Sequence, residues 1–361
     1  MVKYSISLKD IAQKLEVSEM TVSRALNGKP GVSEEKKRLI LEEVKKVGYR
    51  KNSLAATLKR SKSFTLGVVI HSLSSNYYSE LFDGIQNYAK ARGYRVLLGC
   101  PEEDLDLEID IIEAFLRRRV DGLLVAPISA DKNTEYFSNL VKSNIPIVFI
   151  DRHLLTFPQI DYVTADNIGG GFLATEYLIL SGHKKIGFIQ GSEPFCCEVI
   201  DRYKGYKKAL EKYRIDREYV ISYPEPIKNQ EENGYLSVIS FFKNNPCLTA
   251  LFAVNDNVAI GAIKALKELG FIVPEDVSIV GFDDISIAKF VNPSLTTIFQ
   301  NKKEIGERGT EMLIDRISNT SKEWGRRILI PPKLIIRESV RRMNETSEIY
   351  QNTYISSNIP F

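Results

Sequence analysis

The sequence predicts an all-α N-terminal head, a short connecting segment and an α/β core of two doubly wound lobes. Apolar residues near the N-terminus recur at spacings of three and four, which is typical of short amphipathic helices. From Phe64 onward, β-rich runs alternate with amphipathic helical stretches, as in βαβ units around a parallel sheet. A chain of 361 residues carrying this many strands exceeds one open sheet of normal size, so two lobes are expected.

The head is predicted to contain three helices. Apolar stripes mark the first helix over residues 8–15 and the second over residues 22–26. Ser18 stands at the N-cap position of the second helix, and the third helix begins at Ser33 and stops at Gly48. Two short helices joined by a tight turn predict a helix-turn-helix, whose second helix enters the major groove of DNA.

The charge distribution supports a nucleic-acid contact at the head. Residues 1–62 hold 15 Lys and Arg against 7 Asp and Glu, whereas the remainder holds 34 against 39, although the whole chain carries a net charge of only +3. A basic end on an acidic body is the footprint of a protein that contacts nucleic acid with one domain.

The exposed face of the second helix carries short or polar side chains, none of which is typical of a hydrophobic core. Ser18, Thr21 and Ser23 are of types that contact phosphates. Arg24 can bind guanine, Glu19 can accept from cytosine, and Met20 can contact a thymine methyl. The predicted DNA-contacting residues of the head are therefore Ser18, Glu19, Met20, Thr21, Ser23, Arg24 and Asn27.

Residues 7–49, SLKDIAQKLEVSEMTVSRALNGKPGVSEEKKRLILEEVKKVGY, resemble the DNA-binding head of the LacI/GalR (lactose-repressor) family. The family pattern VS..TVSR.LN stands at residues 17–27, and the resemblance continues to about residue 340. It implies a homodimeric repressor of carbohydrate-utilisation genes that binds double-stranded operator DNA and responds to a small effector. It also implies lobes like those of periplasmic sugar-binding proteins. Because the N-terminus lacks a signal peptide, a cytoplasmic location without membrane contact is expected.

The resemblance further implies a hinge helix over residues 52–59 that becomes ordered on operator DNA. Leu58 would wedge into the minor groove beside Lys59, and an apolar wedge of this kind kinks the duplex. The family's usual proline and arginine are replaced by Lys51 and Ala56, and a surface linker that inserts nothing stays an alternative. The predicted domains are a helix-turn-helix domain over 1–50, a hinge over 51–63, an effector and dimerisation domain over 64–340, and a polar tail over 341–361.

The core is predicted to bind its effector between the lobes, at the carboxyl ends of the strands. Polar residues follow several predicted strands, and two tyrosines lie in the loop after the first. Aromatic faces beside charged and amide groups suit a sugar, and the Asp151–Arg152 pair favours a sugar over a purine. By the resemblance, the sugar-contacting positions are Ser75, Tyr77, Tyr78, Asp151, Arg152, Arg202, Asn255, Asp283 and Gln300, where Ser75 replaces a common asparagine.

Two alternatives to a sugar-responsive regulator remain. Residues 169–174, GGGFLA, fit the dinucleotide pattern G-x-G-x-x-A, although they equally begin a helix. A phosphorylated carrier-protein partner, as used by catabolite-control regulators of the family, is the second alternative. The three histidines are scattered and no catalytic or metal-ligand spacing appears, so no enzyme activity, cofactor or metal is expected.

Overall fold

The computed structural model describes residues 7–47, 49, 62–73, 76–157, 159–191, 196–223, 225, 229–243, 247–318 and 324–342. The predicted hinge with Leu58 and Lys59, the effector candidate Ser75 and the tail beyond residue 342 lie outside these residues. The chain divides into two compact units, Met1–Ser63 and Phe64–Phe361.

The first unit contains the three predicted helices, α1 (Leu8–Lys14), α2 (Glu19–Leu26) and α3 (Glu34–Lys46). Ser18 is the N-cap of α2, as predicted, and its hydroxyl accepts a hydrogen bond from the Thr21 amide at 3.1 Å. The small core of the unit consists of Ile11, Ala12, Val22, Ala25 and Ile40. These buried positions are the apolar stripes of the sequence, so α2 turns its polar face outward.

Lobe 1 is built on a six-stranded parallel sheet with the strand order β11-β5-β4-β3-β1-β2. Its strands are β1 (Thr65–Val69), β2 (Arg95–Gly99), β3 (Gly122–Val125), β4 (Ile147–Ile150), β5 (Tyr162–Ala165) and β11 (Arg327–Ile330). Its helices are α4 (Asn76–Ala91), α5 (Leu105–Arg117), α6 (Thr134–Lys142) and α11 (Lys302–Ile317). The chain passes from one side of β1 to the other between β2 and β3, which opens a crevice at the carboxyl ends of the strands.

Lobe 2 repeats the plan with the strand order β12-β10-β9-β8-β6-β7, in which only β12 runs antiparallel to its neighbour. Its strands are β6 (Ile186–Ile189), β7 (Tyr219–Ile221), β8 (Ala250–Ala253), β9 (Ser278–Asp283), β10 (Thr296–Phe299) and β12 (Lys333–Ile335). Its helices are α7 (Asn167–Leu180), α8 (Cys197–Lys212), α9 (Gln230–Phe242) and α10 (Asp256–Glu268). The predicted pair of doubly wound lobes is therefore confirmed.

The chain crosses between the lobes three times, after β5, after β10 and after β11. Strand ends of both sheets consequently border a common cleft, which places side chains from distant parts of the sequence side by side. No helix within the described part of the chain is both long and apolar enough to cross a membrane.

The segment 169–174 lies in the first turns of α7 rather than in a free phosphate-binding loop. Asp166 caps this helix, and its carboxylate accepts from the Gly169 amide at 2.8 Å, in the place where a phosphate would bind. A Cβ on Gly171 would come within 2.2 Å of the Arg202 carbonyl oxygen. The glycines thus bring α7 and α8 together, which favours the helix interpretation and sets the position of Arg202.

Candidate functional site

A cavity of about 440 Å³ lies in the cleft between the two lobes. Seven of the nine predicted effector residues line it, namely Tyr77, Tyr78, Asp151, Arg152, Arg202, Asn255 and Asp283. Gln300 is buried behind Asp283 and does not belong to the lining. The topology therefore brings together residues that are more than two hundred positions apart in the sequence.

The wall formed by lobe 1 is organised around Asp151, directly after β4. The Tyr77 hydroxyl donates to its Oδ1 at 2.5 Å, and the Tyr78 hydroxyl donates to its Oδ2 at 3.0 Å. Burial raises the pKa of Asp151, against the opposing effect of the nearby Arg152 guanidinium. Burial, followed by the Asp151 charge, raises the pKa of Tyr77 well above its usual value. The Tyr77 hydroxyl consequently stays protonated and acts as a donor.

The two tyrosines differ from expectation in their local structure. The sequence interpretation placed Tyr77 and Tyr78 in a loop, whereas both lie in the first turn of α4. Their rings meet edge to face, with centroids 5.3 Å apart. A polar segment precedes them, so no strong signal marks the start of the helix.

The wall formed by lobe 2 is organised around Arg202 of α8. Its Nε donates to Asn167 Oδ1 at 2.9 Å, and its Nη1 donates to the Val254 carbonyl at 2.7 Å. The guanidinium lies 3.8 Å from the centroid of the Phe282 ring, and its Nη2 lies 3.5 Å from Asp283 Oδ1. Held from several sides, the guanidinium cannot rotate freely and presents a fixed charge to the cleft.

Asp283, the last residue of β9, has a strained backbone with φ of +108°. Gln300 Nε2 donates to its Oδ1 at 2.5 Å, and Lys302 Nζ donates to its carbonyl oxygen at 2.8 Å. Burial raises the pKa of Asp283, while Arg202 and then Lys302 oppose that rise. Asp151 also has a positive φ, +64°. Such conformations are uncommon for residues other than glycine and cluster at functional sites.

Asn255 has two roles at the edge of the cavity. It is the N-cap of α10, and its Oδ1 accepts from the Val258 amide at 2.9 Å. Its Nδ2 donates to Gln230 Oε1 at 2.7 Å. The Asn255 Oδ1 is therefore used by the helix cap. The Asn255 side chain and Gln230 both border the cavity.

Sequence reasoning missed ten of the lining residues, and Glu198 and Gln230 are two of them. Glu198 forms an ion pair with Arg152, with 2.7 Å between Oε1 and Nε. The sequence could have indicated Glu198, because it precedes Arg202 by four residues on the same helix and therefore lies on the same helix face. Gln230 follows residues 226–228, which the structure does not describe, and no sequence pattern marks it.

In the head, the predicted base-reading side chains project from α2. Met20 is 65% exposed, and Glu19 and Arg24 are also exposed. Ser18 and Thr21 bond to each other through their hydroxyls at 2.9 Å. Thr21 and Ser23 are half-buried, whereas Ser18 and Asn27 are exposed. The outer face of α2 thus carries three long exposed side chains, those of Glu19, Met20 and Arg24, with short polar side chains beside them.

Comparison with known proteins identifies the family. Residues 7–52 match the model of bacterial regulatory proteins of the lacI family, and residues 175–340 match the periplasmic binding protein-like domain. The HTH-type transcriptional repressor PurR of Haemophilus influenzae (strain PittEE) is 34% identical over 344 residues, covering 93% of this chain and 98% of PurR. The chain belongs to the LacI family. It is a DNA-binding transcriptional repressor of that family.

A second curated relative is similar in sequence over nearly its whole length, and several solved structures of LacI-type regulators have a similar fold. PurR of Vibrio vulnificus (strain CMCP6) is 31% identical over 346 residues, which is 94% of this chain and 99% of that protein. A LacI-family regulator from Enterococcus faecium with bound ribose is 29% identical, with a TM-score of 0.67 over 78% of this chain and 100% of that one. The CelR–cellobiose complex is 26% identical, with a TM-score of 0.69 over 92% and 99%. The operator-bound Lac repressor dimer, 24% identical with a TM-score of 0.80 over 93% and 99%, shares the fold.

Proposed function

We propose that this LacI-family repressor is controlled by a sugar bound in the cavity between its lobes. One observation carries the proposal: the Tyr77–Tyr78–Asp151 group of lobe 1 and the Arg202–Asp283 pair of lobe 2 border the same cavity. Sugar hydroxyls both donate and accept hydrogen bonds, and sugar C–H faces pack on aromatic rings. Fixed carboxylate, guanidinium and tyrosine groups around one space supply both kinds of contact.

The geometry also accounts for selectivity among sugars. The polar groups of the cavity are held by neighbours, as Arg202 is by Asn167 and the Val254 carbonyl. A sugar that lacks the matching hydroxyl leaves such a group unpaired, which lowers affinity strongly. The ribose-bound and cellobiose-bound relatives, both above 25% identity, are consistent with this class of ligand.

The DNA-binding half of the proposal concerns a homodimer on a pseudo-palindromic operator. Glu19, Met20 and Arg24 would read base edges, the surrounding short side chains and Lys59 would contact phosphates, and paired Leu58 side chains would wedge the centre. A sugar that changes the angle between the lobes would destabilise the proposed hinge helices, because an isolated helix of about eight residues is marginal in water. A coupling free energy of about 1–3 kcal/mol suffices for such a response.

The first test is a thermal-shift screen of the full-length protein against mono- and disaccharides, sugar phosphates and purines. A ligand at about 100 times its Kd adds about 2.7 kcal/mol to the free energy of unfolding, which gives a measurable rise in Tm. A sugar that raises Tm and also changes operator affinity in fluorescence anisotropy supports the proposal. The proposal is refuted if no sugar raises Tm or changes operator affinity. A phosphorylated carrier-protein partner is favoured only if the whole panel, including sugar phosphates and purines, gives no response.

A further inference from the structure

The cavity carries an excess of negative charge. Within the described residues, six carboxylates but only two guanidinium groups, those of Arg152 and Arg202, line it. A site built for a phosphate or a carboxylate ordinarily has the opposite balance, with cations or free amide donors facing the ligand. The composition of the wall therefore bears on the charge of the ligand as well as on its class.

Each guanidinium faces a carboxylate of the protein. Arg202 lies 3.5 Å from Asp283, and both belong to lobe 2. Arg152 follows β4 of lobe 1, whereas its partner Glu198 lies in the first turn of α8 in lobe 2, so this ion pair crosses the cleft. The side chains of Arg152 and Glu198 are 11% and 9% exposed. Water screens such a pair weakly, so the two charges hold each other firmly.

We propose that Glu198 is a specificity-determining residue that makes the cavity reject anionic ligands. The inference rests on the proposed function and restricts the effector to uncharged sugars, excluding phosphorylated sugars and sugar acids. An anionic group that reached Arg152 would have to displace the Glu198 carboxylate or lie beside it. Both outcomes place like charges together in a poorly hydrated space, which is strongly unfavourable.

Removal of the Glu198 charge should allow the cavity to bind anionic ligands. The variant Glu198→Gln keeps the size of the side chain but removes the carboxylate that forms the ion pair with the largely buried Arg152 guanidinium, which is costly. An incoming phosphate can then supply the missing charge through charge-assisted hydrogen bonds. The variant should therefore bind anions that the wild-type protein ignores.

The test uses isothermal titration calorimetry of the full-length protein with inorganic phosphate and with the pairs glucose and glucose 6-phosphate, and ribose and ribose 5-phosphate. The wild-type protein should show no measurable binding of an anionic probe in the cavity, and Glu198→Gln should bind at least one probe with a Kd roughly tenfold or more below the weakest affinity that the titration detects. Glu231→Gln is the matched control, because it removes one charge from the same cavity without touching the Arg152 ion pair. The double variant Arg152→Gln/Glu198→Gln should lose the gain, which also excludes phosphate binding to the basic head.

Several results would overturn the assignment of Glu198. Equal anion binding by wild type and Glu198→Gln refutes it, and an equal gain in Glu231→Gln shows that net charge alone decides. If Glu198→Gln does not fold, Glu198→Ser replaces it, and tight binding of a sugar phosphate by the wild-type protein remains a refutation by itself. Failure of every neutral sugar to bind refutes the proposed function instead. The increase in anion affinity of Glu198→Gln over wild type is measured separately and tests only the role of Glu198.

Discussion

Lys302 offers the sharpest test of how the two lobes are joined. It is the first residue of α11 in lobe 1, and its side chain is 1% exposed. Its ammonium donates to the carbonyl oxygens of Asp283 at 2.8 Å and Asp284 at 3.2 Å, both at the end of β9 in lobe 2. It also lies 3.5 Å from Glu80 of α4. The variant Lys302→Met keeps most of the aliphatic stem and removes these three contacts.

The expected cost follows from the burial of the group. Hydrogen bonds to a charged donor contribute about 1.5–3 kcal/mol, and loss of the ammonium leaves two carbonyl oxygens without this donor. The contact with Glu80, which is 37% exposed, adds little. Burial of the charged ammonium is itself unfavourable, and its removal offsets part of the lost stability. We expect the free energy of unfolding to fall by about 2 kcal/mol, which lowers Tm by roughly 3 °C for a unit of this size.

Thermal and urea unfolding of the full-length protein measure this difference. Lys303→Met is the matched control, because Lys303 is the next residue of the same helix and is exposed. A change at such a surface position should stay within about 0.5 kcal/mol. Since Lys302 also supports the strained backbone of Asp283, Lys302→Met should weaken sugar binding while Lys303→Met does not. Equal stability and equal sugar affinity of the two variants would refute the reasoning.

Three further predictions concern DNA reading, the cavity and pH. Arg24→Ala should relax base preference at one operator position and cost about 1–3 kcal/mol there, and a loss spread evenly over operator variants would contradict base reading by this residue. Asp283→Asn should leave sugar-free operator affinity unchanged and abolish the response to sugar in anisotropy titrations, so a retained response would rule out the cavity assignment. Burial lowers the pKa of His183 from 6.5 to about 4. The unfolded chain therefore binds the proton first, and the free energy of unfolding should fall by about 3 kcal/mol as pH drops from 6.5 towards 4. His183→Gln should lack this contribution in urea titrations at pH 7 and pH 4.5, and identical pH profiles would disprove it.

The two lobes were predictable because their signals are local. Buried parallel strands such as β3 and β4 are short, wholly apolar runs, and the polar residues Asp151 and Arg152 directly follow β4. The Ser18 cap and the apolar stripes of α2 likewise lie within a few residues of one another. Patterns of this kind need no knowledge of distant partners, so the class of each element could be predicted from the sequence.

The candidate site was only partly predictable, because its contacts cross the cleft. Asp151 and Asp283 are marked by their place after apolar runs, but nothing local shows that Tyr77 and Tyr78 both donate to Asp151. The pairing of Arg152 with Glu198 joins residues 46 positions apart through the packing of two lobes. A sequence pattern identifies the chemical types at such a site, whereas their partners depend on strand order.

The sequence by itself determined the kind of protein this is. A helix-turn-helix pattern in a basic head, followed by alternating strands and helices, suffices for a DNA-binding regulator with a two-lobed core, because periodicity and charge are properties of short segments. Only the tertiary structure decided which charges neutralise each other. The three crossings of the chain place Glu198 against Arg152 and Lys302 against the end of β9. Electrostatic free energy depends on distance and burial, and neither can be calculated from separation along the chain.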